Sequence, residues 1–145
     1  MLGTLDQKQI DRVLSSGTVG RIGVHGEGRT YVVPTTYVLD GDSVYCHSAM
    51  GLKIRMMRAN PDVCFQVDEI DDMANWRSVI AWGRYEELKG ELAIAAMNLL
   101  ASRLSPITAS ETAGPSGRTA GRAGNGEEVS YRIRLTDRTG RFERG

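Results

Sequence analysis

The chain has 145 residues, 41% of them hydrophobic, and its acidic and basic residues cancel to a formal net charge of zero. That length suits one domain with one core, and the balanced charge gives no reason to expect nucleic acid or an anionic membrane as partner. No apolar run approaches the roughly 20 residues that span a bilayer, and the start MLGTLDQKQIDRV lacks the basic-then-apolar order of a secretory signal, so a cytoplasmic protein is expected.

Thr4 followed by Gln7 reads as a capping box, with Ile10, Val13 and Leu14 at helical spacing behind it. This predicts a helix over Leu5 to Ser16, ended near Gly17. Thr18 to His25 is the first strand, turned at Gly26-Glu27-Gly28. Arg29 to Leu39 reads as a long second strand. Pro34 in its middle has no N–H for a ladder, which demotes the strand to an edge, a bulge or a place where pairing opens. Asp40-Gly41-Asp42 is a turn, and Ser43 to His47 the third strand.

At Ser48-Ala49-Met50-Gly51 the chain breaks and becomes helical, with Leu52, Ile54, Met56 and Met57 apolar and Lys53, Arg55 and Arg58 between them. Asn60-Pro61 stops this helix. A helix N-terminus offers unpaired N–H groups and partial positive charge, so a corner with Ser48 and Lys53 is a seat for a phosphate. The competing reading is a solvated surface lysine.

Asp62 to Val67 is the fourth strand, Asp68 to Asn75 an acidic irregular stretch, and Trp76 to Leu88 the fifth strand, with Gly83 letting it bend. Glu91 to Leu104 is an amphipathic helix. Ser105 to Gly126, rich in Gly, Ala, Ser and Thr, reads as a mobile loop. Glu128 to Leu135 alternates as a sixth strand before a polar tail. Cys46 and Cys64 lie in β-like apolar runs and read as buried thiols of a reducing compartment; with only His25 and His47 besides, no metal site is expected. The whole predicts a mainly β single domain over residues 1–145, a six-stranded antiparallel barrel with short helices. The modest apolar content suggests a dimer.

The ordered set TVGRIGV, YVVPTTYVLDGDSVYCHSAMGLKIRMMRANPDVCFQVDE and WRSVIAWGRYEEL, covering Thr18 to Leu88, resembles the FMN-binding split barrels related to pyridoxamine 5′-phosphate oxidase, and within them the nitroimidazole-resistance (Nim-like) branch. The ending YRIRLTDRTGRF is similar but less specific. The resemblance implies a homodimer with FMN at the subunit interface. It implies that Val33, Pro34, Thr35 and Thr36 run beside the flavin ring and that His47 and Ser48 meet the ring and the ribityl–phosphate arm. Lys53 would bind the phosphate, and Arg77, Ser78 and Val79 would reach the cofactor from the other subunit.

A catalytic place beside the flavin falls to His47. Competing readings are an ion pair for Arg77 with Asp68, Glu69, Asp71 or Asp72, strand crowding for Ser78, and a satisfied side chain for His47. Trp76 and Trp82 share one strand face and are read as core or dimer interface. The chain shows no C-terminal extension like the one that grips substrate phosphate in true pyridoxamine-phosphate oxidases, so that activity is not expected. The expected function is an FMN-dependent reductase of small or nitroaromatic compounds, with a nicotinamide or deazaflavin electron donor. The alternatives are a flavin store without turnover, or a deazaflavin- or haem-binding barrel, the haem requiring a free nitrogen on His25 or His47.

Overall fold

The computed structural model describes residues 1–111 and 127–145. Asp6, not Thr4, caps the first helix: its carboxylate accepts from the Gln9 amide and the Gln9 side chain accepts from the Asp6 amide, both at 2.8 Å. The capping box lies two residues later than the sequence predicts because Thr4 belongs to a short strand, β1 (Leu2–Thr4), paired with the last strand of the chain. Helix α1 (Gln7–Ser16) buries Ile10, Val13 and Leu14 and ends at Gly17.

Three hairpins follow. They are β2 (Val19–Gly26) with β3 (Arg29–Thr36), β4 (Val38–Asp40) with β5 (Ser43–Ala49), and β6 (Asp62–Asp72) with β7 (Asn75–Leu88). Helix α2 (Leu52–Ala59) links the second to the third; α3 (Gly90–Glu111) precedes the closing strand β8 (Glu128–Arg144). The strand order is β3-β2-β6-β7-β8-β5-β4, with β1 on β8 and every pairing antiparallel. This is a mainly β split barrel, as the sequence predicts, but with eight strands among the described residues instead of six.

The extra strands have physical causes. The expected second strand divides at Tyr37, whose amide bonds Thr18 O and whose ring is buried edge-on against Phe65 at 4.8 Å. The acidic stretch is no loop: β6 continues to Asp72, whose carboxylate accepts from the Ala74 amide and the Asn75 side chain and so builds the turn into β7. The polar tail is strand because β8 lies between β7 on one side and β5 and β1 on the other. Helix α3 also runs past Leu104 to Glu111. Adding residues to a formed helix costs little, so it does not stop where its apolar stripe ends. The rest of the expected loop, 112–126, lies outside the described residues.

The bend expected at Gly83 is present. The β7–β8 register shifts between Trp82 and Gly83, and a Cβ on Gly83 would sit 2.3 Å from the Arg134 carbonyl oxygen. Val79 and Ala81 point into the core, whereas Ile80 and Trp82 point out, 38% and 42% exposed. Val32, Gly23, Cys64 and Trp82 lie opposite one another across four strands, on that same outer face. No helix among the described residues is long and apolar enough to cross a membrane.

Candidate functional site

Among the described residues strand β3 pairs only with β2, so its other edge, from Arg29 to Thr36, has no ladder partner there. Pro34, opposite Arg21, sits on this edge strand, where a missing N–H costs nothing. Val33 and Thr35 turn inward and Pro34 and Thr36 outward; Thr35 is 8% exposed and its hydroxyl donates to Thr36 O at 3.1 Å.

On β5, His47 lies opposite Ser130 of β8. Its Nδ1 is 3.2 Å from Ser130 Oγ and its Nε2 2.7 Å from Glu128 Oε1, so both ring nitrogens are engaged. Ser48 Oγ donates to Ala49 O. The chain then turns at Gly51, which caps α2 in extended conformation with no side-chain hydrogen bond, so that among the described residues no side chain caps the first N–H groups of that helix.

Lys53 stands in the first turn of α2 and is partly buried. Burial pushes its ammonium pKa down, opposed only in part by the neighbouring Cys46. Other cations of this region are compensated, Arg58 being bidentate to Glu87 at 2.8 and 2.9 Å and Arg132 and Arg134 both binding Glu86, while Arg55 on the same helix as Lys53 is solvent-exposed. Lys53 has no carboxylate partner among the described residues. Behind it Cys46, fully buried, has its thiol pKa raised to about 12 by desolvation and neighbours both Thr35 and Tyr131. The Tyr131 hydroxyl is itself buried without a hydrogen-bond partner of good geometry among the described residues. Thus β3, β5 and α2 bring Thr35, Cys46 and Lys53 into one corner. Sequence reasoning passed over Tyr131, although the alternation of YRIRL already places it on the inward face.

The remaining predicted residues lie elsewhere. Arg77, Ser78 and Val79 are on β7, separated from β3 by β2 and β6. Arg77 pairs with Glu69 at 3.1 Å, one of the partners its competing reading names. Ser78 Oγ accepts from Gln66 Nε2 at 3.0 Å, and the Val79 side chain is wholly in the core. A single chain therefore does not join this segment to the Lys53 corner. Among the described residues no three His, Cys, Asp or Glu side chains gather as metal ligands.

The family model described as pyridoxamine 5′-phosphate oxidase matches residues 6–142. An uncharacterised protein of Rhizobium meliloti is 36% identical over 84 residues, which is 58% of this chain and 56% of that protein; the match thus spans little more than half the length of that relative. The crystal structure of a FAD-binding protein from Mesorhizobium loti superposes with a TM-score of 0.80 at 32% identity, covering 100% of this chain and 98% of that one. That of a candidate 5-nitroimidazole antibiotic resistance protein from Bacteroides thetaiotaomicron shares the fold, with a TM-score of 0.71 at 18% identity over 98% of this chain and 89% of that one.

Proposed function

The chain belongs to the pyridoxamine 5′-phosphate oxidase family, and on that premise we propose that it is a flavin-dependent oxidoreductase, holding FMN between two copies and reducing small or nitroaromatic compounds. One observation carries this reading. Lys53 is a partly desolvated ammonium at a helix N-terminus with no carboxylate to balance it, and a terminal phosphate is the group that balances it best. The relative from Mesorhizobium loti, which binds FAD, supports a flavin as the ligand, and among flavins FMN is the one with a terminal phosphate.

The residues fit such a group. Lys53 and the α2 N–H groups would hold the phosphate, Ser48 and His47 would flank the arm, and the unpaired edge of β3 from Val33 to Thr36 would supply backbone donors and acceptors for a ring. Bound flavin would supply the redox chemistry of a reduction driven by a nicotinamide or deazaflavin donor, and the protein would orient and shield it. A second copy would bring Arg77 and Ser78 to the corner. The exposed apolar outer face of Val19, Val32, Ile80 and Trp82 supports that pairing. Two free cysteines, one wholly buried, agree with a reducing, cytoplasmic setting.

A second reading, a flavin holder without turnover, is favoured by the engaged imidazole of His47, which leaves no free ring nitrogen for acid–base work. The same observation removes His47 as a haem ligand and leaves His25 for a haem-binding barrel. The test is the spectrum of the purified protein, then reduction by a nicotinamide or deazaflavin donor and reoxidation by a nitroaromatic. Flavin bands with turnover support the reductase, and flavin bands without turnover support the holder. A colourless protein that binds no FMN overturns both.

A further inference from the structure

A cavity of about 230 Å³ opens between α1 and the far ends of β6, β7 and β8, and none of its lining residues belongs to the Lys53 corner. Arg12 comes to it from α1, Arg77 from β7 and Arg144 from β8, while Leu5, Val13 and Phe142 form an apolar floor. Glu69 is the carboxylate in the wall. It is already engaged, accepting from Arg77 at 3.1 Å and from Ser16 Oγ at 2.8 Å. Among the lining residues three guanidiniums face one carboxylate; Asp71 and Glu143 line the adjoining groove that Arg77 and Arg144 share, and Glu143 is taken up by the Met1 amino group. Neither Arg12 nor Arg144 has a carboxylate partner among the described residues. The Arg144 guanidinium is held over the Phe142 ring, 5.3 Å from its centroid, which places a cation at the cavity wall without neutralising it.

From this arrangement we propose that the cavity is a binding site for a small anion with an apolar body, an aryl carboxylate or aryl phosphate. The guanidinium fork matches both head groups in bidentate geometry, and the partly buried Phe142 ring, backed by the core residues Leu5 and Val13, takes the aryl part. The site takes all of its lining residues from one chain. It shares Arg77 with the segment proposed above to reach the flavin, so the test leaves Arg77 alone.

Benzoate, phenyl phosphate, acetate and inorganic phosphate are titrated calorimetrically into the purified full chain and into the Arg12→Ala/Arg144→Ala double variant, at low ionic strength. Saturable binding of benzoate or phenyl phosphate is expected, tighter than acetate or inorganic phosphate, and weaker by roughly tenfold or more in the variant, since each lost charged hydrogen bond is worth about a factor of ten. Flavin affinity and melting temperature stay at the wild-type value. Whichever aryl probe binds better identifies the head group. The proposal is overturned if none of the four probes saturates, if the variant binds like wild type, or if the aryl probes have no advantage. It is equally overturned if the variant loses flavin together with the probe, because the cavity would then be part of the flavin site.

Discussion

His47 and Glu128 face each other across the β5–β8 ladder, Nε2 to Oε1 at 2.7 Å, while the other ring nitrogen meets the nearly buried Ser130 hydroxyl. A carboxylate can only accept here, so Nε2 carries the proton that faces Glu128. The imidazole is a bridge between an exposed acid and a buried hydroxyl.

Removing the two ends of that bridge should have unequal costs. His47→Ala strands the Ser130 hydroxyl and is expected to cost about 1–3 kcal/mol in urea unfolding. Glu128→Ala removes only a partly exposed ion-pair partner and should cost less than about 1 kcal/mol. Equal losses would show that the bridge does not reach the interior.

Lys53→Met keeps the aliphatic stem and deletes the ammonium. The depressed ammonium pKa means that burial disfavours the charge in the folded chain. Apoprotein stability should therefore hold or rise while FMN affinity falls about 10- to 100-fold, the worth of a charged hydrogen bond. Fluorescence titration and thermal melts of the same preparations separate the two effects. FMN bound at wild-type affinity would remove Lys53 from the site.

Gly83→Ala tests the β7 bulge. The added Cβ meets backbone, not a movable side-chain end, and the β7–β8 ladder must shift to admit it. A loss of about 1–3 kcal/mol or more is expected in denaturant unfolding, the range for overpacking. A neutral result would mean that the strand has slack at this point.

Glu87 should shape acid stability. Arg58 beside it, with help from the Tyr85 hydroxyl, holds its pKa down at about 2, against the usual 4.5. A carboxyl depressed on folding stabilises at every pH above its unfolded value and loses that contribution as pH falls through its folded value. Wild type should lose this contribution between about pH 4.5 and pH 2. Glu87→Gln should show a shallower fall of melting temperature over that window; parallel curves would place the acid sensitivity elsewhere.

Ile80→Lys probes the outer face. Ile80 is 38% exposed and its neighbour across one side chain, Trp82, 42%. If a second copy covers this face, the charge should shift sedimentation toward monomer and weaken flavin retention. The sedimentation coefficient of a variant that stays folded decides it.

Much of the architecture was legible along the chain, because helices and strands announce themselves through short-range periodicity. The Gly83 bend, the edge character of the Pro34 strand and the basic helix after His47 all follow from the chemistry of a few adjacent residues. What was missed had distant causes. Asp68 to Asn75 reads as irregular until Asp72 is seen building a turn, and the polar tail reads as loose until β7 lies beside it.

The site divides in the same way. By itself the sequence carried the resemblance that implies the family and the split barrel, and its short-range pattern placed a lysine at the start of α2. Only the tertiary structure decided that Glu128 and Ser130 claim both nitrogens of His47, that Cys46 and Tyr131 lie behind Lys53, and that Arg12, Arg77 and Arg144 share one cavity. Those meetings join residues far apart in the chain. The strand register that creates them is a property of the packed sheet, and no local stretch encodes it.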